Sequence, residues 1–108
     1  MGASVSELTE RVQRVSDIYA ARCNIRRDDD WFALKLQEEA GELVAEHLRL
    51  SGRGRVEGRT QGEMRIALED EAADLLAMLL LYCRHNAIDL EAALGRKWFG
   101  HLEQEPAD

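Results

Sequence analysis

Apolar positions recur along the chain at helical intervals. Leu8, Val12, Val15, Ile18 and Tyr19 fall three or four residues apart or adjacent, the pattern of one face of a helix. This predicts a first helix over residues 5–22. Ser4 and Glu7 ahead of it have capping-box spacing. A second helix is predicted over residues 31–50. Asp28, Asp29 and Asp30 precede it, where acidic side chains suit the unpaired N–H groups and the positive end of the helix dipole. Ser51-Gly52 closes it. Leu36, Ala40, Leu43 and His47 form the centre of its apolar arc.

Residues 51–62 read as a polar loop, with glycines at 52, 54, 58 and 62 and arginines at 53, 55 and 59. A loop of that length is expected to act as a lid or an oligomer contact. Thr60 and Glu63 make a second capping box, which opens a third helix running to about residue 85, with Asn86 as its C-cap. Asp89 caps a fourth, shorter helix to about Phe99, and the polar tail after Leu102 is expected to fray. From Ala72 to Cys83 the third helix carries one charge, Asp74. A helix apolar nearly all round belongs at the centre of a fold. One short chain cannot cover it on every side, so at least a dimer is expected.

Composition narrows the class. The 108 residues suit one domain. Charged residues make up 32%, above the usual ~25%, and the one proline is Pro106. No regular spacing of β-branched runs and Pro/Gly turns is present, which excludes a sandwich or barrel. The reading is all-α. The net charge of −7 argues against nucleic acid as a partner, since phosphate binding needs a basic footprint. Cys23 and Cys83 stand alone, in no zinc-binding spacing, and point to a reducing cytoplasm. No signal peptide is visible, residues 75–83 are too short an apolar run to span a bilayer, and no membrane association is expected. The start Met1-Gly2 with Ser6 matches an acylation pattern only formally.

The carboxylates carry the chemistry. Glu39 and Glu42 are three residues apart and project from one face of the second helix, as Glu71 and Asp74 do on the third. Glu39 and Glu42 alone fit a solvated amphipathic face. Glu71 and Asp74 are harder to place, because Leu75, Met78, Leu81 and Tyr82 flank them. A buried, unpaired carboxylate protonates or finds a cation. Pairing with an arginine, or with backbone N–H groups, would be the structural alternative. Antiparallel packing of the two helices would bring all four together. Two like charges about 4 Å apart repel by about 4 kcal/mol at an effective dielectric near 20, so such a cluster implies cations. Oxygen-only ligands favour Mg²⁺, with Mn²⁺ as a substitute.

Glu38-Glu39-x-x-Glu42 followed by Glu71-x-x-Asp74 resembles the signature of the MazG-like all-α nucleoside triphosphate pyrophosphohydrolases. The likeness covers about residues 31–102. It includes Lys35-Leu36, Leu75-Leu76 and the run from Ile88 through Asp89, Leu90, Glu91, Ala92, Ala93 and Leu94 to Lys97. The resemblance implies a four-helix fold completed as a homodimer or homotetramer. It also implies Mg²⁺-dependent cleavage of a nucleoside triphosphate to monophosphate and pyrophosphate, in a house-cleaning role on non-standard nucleotides. Glu39, Glu42, Glu71 and Asp74 would then be metal ligands. Glu38 would orient or deprotonate the attacking water, and Lys97 would neutralise phosphate charge.

Lys35, Arg53 and Arg55 are further candidates for phosphate, with solvated surface charge as the plainer reading of each. His101 is a candidate substrate contact or simply a tail histidine. Trp31 or Phe32 can stack on a nucleobase, although core packing is the preferred reading of both. Trp98 and Phe99 are expected to pack, and Met78 and Tyr82 to line core or pocket. Two alternatives stay open. One is a phosphoribosyl-ATP pyrophosphohydrolase, which the long Arg/Gly loop disfavours. The other is a non-catalytic helical dimerisation or regulatory module.

Overall fold

The computed structural model describes residues 2–104, which form four α-helices and a terminal 3₁₀ helix, with no strand among them. The helices are α1 (Val5–Cys23), α2 (Asp29–Leu50), α3 (Gln61–His85) and α4 (Leu90–Lys97). The 3₁₀ helix covers Phe99–Gln104.

Local chemistry sets the ends. At α1, Glu7 N donates to Ser4 Oγ while Ser4 N donates to Glu7 Oε1. Thr60 and Glu63 repeat this reciprocal box at α3, and the Thr60 backbone N–H holds the Glu63 carboxyl below its usual range. Asp28 and Asp89 accept from Trp31 N and Ala92 N. Because Asp28 is the cap, α2 starts at Asp29, two residues before the expected start. The fourth helix ends at Lys97 instead of Phe99 and tightens into the 3₁₀ turn. The expected frayed tail falls partly within that turn, and residues 105–108 lie outside the described residues.

α2 and α3 form an antiparallel hairpin, the main packing unit, and α1 lies along α3. At one end of the hairpin, Phe32 and His85 stack with ring centroids 4.4 Å apart, and His85 Nε2 lies 2.8 Å from Asp29 Oδ1. α1 runs antiparallel to α3, with Glu10 paired to Arg84 at 3.0 Å. The core is small: Ala20, Phe32, Met64, Leu80, Leu81 and Cys83 are the buried apolar residues. α3 is central, as its sequence predicts, yet Ile66 and Leu76 remain exposed.

Two expectations about packing change. His47 is exposed; the residue turned inward at that level is Glu46, whose charge Arg49 and Arg59 neutralise at 2.9 and 3.1 Å. Burial pushes the Glu46 carboxyl up, but the two arginines outweigh this and hold it below its usual range. Trp98 and Phe99 do not pack: they are 65% and 54% exposed, because α4 packs chiefly on the 3₁₀ turn that follows it.

The molecule is extended for its length. Its radius of gyration is 17.3 Å, against about 13 Å for a compact chain of about 100 residues. Among the described residues no helix is long and apolar enough to cross a membrane.

Candidate metal and anion site

The hairpin register determines which acidic groups meet. Glu39 and Glu42 are one turn apart on α2, and Glu71 and Asp74 one turn apart on α3. Antiparallel pairing brings Glu42 opposite Glu71 and Glu39 opposite Asp74. Carboxylate oxygens of Glu39, Glu42 and Glu71 all lie within 4.8 Å of one another. Asp74 is exposed and lies outside this trio. Its charge still acts on both Glu39 and Glu71.

Glu39 Oε2 and Glu71 Oε2 are buried and have no hydrogen-bond partner among the described residues. None of the four carboxylates is in an ion pair among the described residues. The arginine pairing considered for Glu71 and Asp74 is therefore absent there. Arg65 binds Glu69 instead, and Arg84 binds Glu10.

The electrostatic consequence follows directly. Burial, then the negative charge of Glu42, push the Glu71 carboxyl up to about 7. Burial, followed by the charges of Glu42 and Asp74, raises Glu39 as well, against the pull of Lys35. A hard divalent cation fits this set. It would supply the missing partners for the two orphaned oxygens and cancel the mutual repulsion.

A cavity of about 790 Å³ adjoins the acids, between α1 and α2 with α3 as its floor. That volume lies within the usual range for small-molecule sites. Val12, Val15, Met78 and Leu81 supply apolar walls, and Glu39 and Asp74 line the acidic side. Trp31 lines it too, half-buried and edge-on to Phe32 with centroids 5.1 Å apart. Phe32 itself is core, at 5% exposure.

The other candidate residues divide by position. Lys35 lines the cavity and pairs with Glu38 at 3.2 Å, which leaves Glu38 on the exposed flank of α2. Arg53 and Arg55 are exposed in the loop beyond the end of α2. Glu42 is about 12 Å from that end, at 1.5 Å per residue. Lys97 and His101 are exposed, on α4 and the 3₁₀ turn. None of these last four lines the cavity.

Nor does the loop fold over the cavity. Arg59 ties it to Glu46, and Arg53 N donates to Leu48 O at 2.7 Å. Gly54 sits against Arg49, where a Cβ would come within 3.1 Å of the backbone nitrogen.

Two cations absent from the sequence reading, Arg11 and Arg27, do line the cavity. Both fall in arginine-rich stretches, and no spacing rule marks them. The packing of α1 and the α1–α2 connection against the hairpin brings them in. Among known proteins, no family model matches the chain, and no curated protein matches it.

Proposed function

We propose that the protein is a divalent-cation-dependent nucleoside triphosphate pyrophosphohydrolase, the activity implied by the likeness to the MazG-like enzymes. One observation carries the reading: two buried, unpartnered carboxylate oxygens, on Glu39 and Glu71, converge with Glu42. Folding tolerates such an arrangement poorly unless a cation completes it.

Glu39, Glu42 and Glu71 would hold Mg²⁺, with Mn²⁺ as a substitute, and Asp74 stands at the edge of the same set. When bound, the metal supplies a lowered pKa for its water and neutralisation of phosphate charge. The chain's own groups do the rest. Lys35 offers an ammonium to phosphate oxygens from the cavity wall. Glu38, freed from Lys35, can orient or deprotonate the attacking water. Trp31 and the apolar wall exclude water and offer a flat surface to a base. Lys97 and His101 are exposed and do not line this cavity, so a role for them would come from a neighbouring subunit.

Self-association belongs to the same proposal. Val15, Ile18, Leu34, Val44 and Leu102 are each more than half exposed. A homodimer or homotetramer would cover such apolar surface.

The test is product analysis. Purified protein is incubated with Mg²⁺ and a panel of standard and modified nucleoside triphosphates, and pyrophosphate is resolved from single phosphate. Pyrophosphate with monophosphate is expected, lost in Glu71→Ala and without metal. Absence of turnover on the panel and on phosphoribosyl-ATP overturns the reading.

A further inference from the structure

We infer that Arg27, on the connection between α1 and α2, is a receptor for the outer phosphates of a triphosphate bound in the cavity beside Glu39 and Asp74. This rests on the pyrophosphohydrolase reading and adds to it a cationic group that the acidic signature does not contain.

The geometry begins with where Arg27 points. Its side chain is 22% exposed, whereas that of its partner Asp17 is 56% exposed. Arg27 Nη1 donates to Ser16 Oγ at 2.8 Å, and Nη2 lies 2.9 Å from Asp17 Oδ1. A guanidinium has five N–H donors in a planar fork. Two are engaged with α1, and the other three have no partner among the described residues. Both Arg27 and Ser16 line the cavity that contains Glu39 and Asp74. Arg11 and Lys35 line it as well, so three cations share one space with two carboxylates.

That combination suits a polyanion carrying a divalent cation. The carboxylates address the metal side of such a ligand, and the cations address its remaining phosphate charge. Arginine matches phosphate oxygens two at a time, which a lysine cannot do. Asp17 acts as the resident counter-ion. The Gln13 amide, followed by Arg27, holds its carboxyl below the usual range, so it stays charged at neutral pH and competes with an incoming anion. The alternative is a purely structural pair that pins the connection to α1.

Two substitutions separate these roles, because both break the ion pair and only one removes the receptor. Binding of inorganic tripolyphosphate with Mg²⁺ is measured by titration calorimetry, with melting curves and nucleotide turnover on the same samples. Arg27→Gln should weaken binding about ten- to a hundredfold and raise KM more than it lowers kcat. Arg27→Lys should recover part of the loss. Asp17→Asn keeps an acceptor for the guanidinium and removes the competing charge, so binding should stay equal to wild type or tighten.

Wild-type affinity in Arg27→Gln overturns the inference. So does equal weakening in both variants that tracks their loss of Tm. A wild-type protein that turns over nucleotides but fails to bind tripolyphosphate overturns it alone. A wild type with neither binding nor turnover overturns the pyrophosphohydrolase reading, and this inference with it.

Discussion

Glu42 and Glu71 face each other across the α2–α3 hairpin with carboxylate oxygens within 4.8 Å, and Glu71 Oε2 is buried there with no hydrogen-bond partner among the described residues. Two carboxyl groups that close repel each other unless one keeps its proton. A divalent cation would take the place of that proton.

A metal-linked rise in stability is the first consequence. A ligand that binds only the native state stabilises it by about 2.7 kcal/mol at a hundred times its Kd. For a domain of about 100 residues this raises Tm by about 10 °C or more. Melting curves with Mg²⁺ and with chelator should differ by that order. Glu71→Gln should melt higher than wild type without metal and lose most of the Mg²⁺ response. A wild-type curve insensitive to Mg²⁺ and Mn²⁺ would remove the site.

The pH dependence has a definite sign. Glu71 is raised to about 7 in the folded protein, from an unfolded value near 4.5. Between these values the native state holds a proton that the unfolded state has lost. The stabilising contribution is fully present below about 4.5 and disappears as pH rises through 7. Metal-free protein should therefore denature more readily in urea at pH 8 than at pH 5.5. With saturating Mg²⁺ the trend should reverse, because protons compete with the metal for the same oxygens. A flat metal-free profile would show that Glu71 ionises normally.

Glu46 should matter for the loop and not for the chemistry. Glu46→Ala removes the common partner of Arg49 and Arg59. Tm should fall by several degrees, and hydrogen exchange should quicken across residues 51–60. Affinity for Mg²⁺ should change far less than stability: Glu46 is one turn from Glu42, but its partners Arg49 and Arg59 pair with none of the acidic trio. Metal affinity that fell along with stability would mean that the loop supports the acidic site.

Gly54 gives a steric test of the same strap. A Cβ there would meet Arg49 Cγ at 2.9 Å and the Arg49 backbone at 3.1 and 3.2 Å. Gly54→Ala should cost about 1–3 kcal/mol, the usual range for overpacking. A variant as stable as wild type would show that the loop shifts freely away from α2.

Light scattering tests the extended shape and exposed apolar faces. The solution mass should be at least twice the 12.2 kDa of one chain. Substituting Leu34 and Val44, 65% and 55% exposed on α2, with glutamate identifies whether that face is the contact. A monomeric wild type would refute self-association.

Short-range chemistry explains which features were legible in the sequence. Ser4 with Glu7, Thr60 with Glu63, Asp28 and Asp89 all act within one helical turn, so spacing located the starts of α1, α3 and α4 and came within two residues for α2. Glu39, Glu42 and Glu71 were legible because three-residue spacing fixes a shared face and the long apolar run marks α3 as interior. The remainder depends on relations between distant segments. Glu46 is paired with Arg59 across a loop, and no periodicity distinguishes it from the solvated glutamates around it. Arg27, on the α1–α2 connection, lines the cavity only through the packing together of residues from α1, α2 and α3. Trp98 and Phe99 read as core by their hydrophobicity, but α4 finds no surface among the described residues to cover them.

The three converging carboxylates all belong to one antiparallel hairpin closed by a strapped loop. Such a unit is held by contacts between segments near in sequence, and the entropy of closing its loop grows only slowly with length. The acidic site can therefore assemble early, before α1 or α4 docks. α1 then supplies the cavity wall as a later and separable event. Changes in α1 can redefine the ligand that the site admits while the metal-binding half stays as it is.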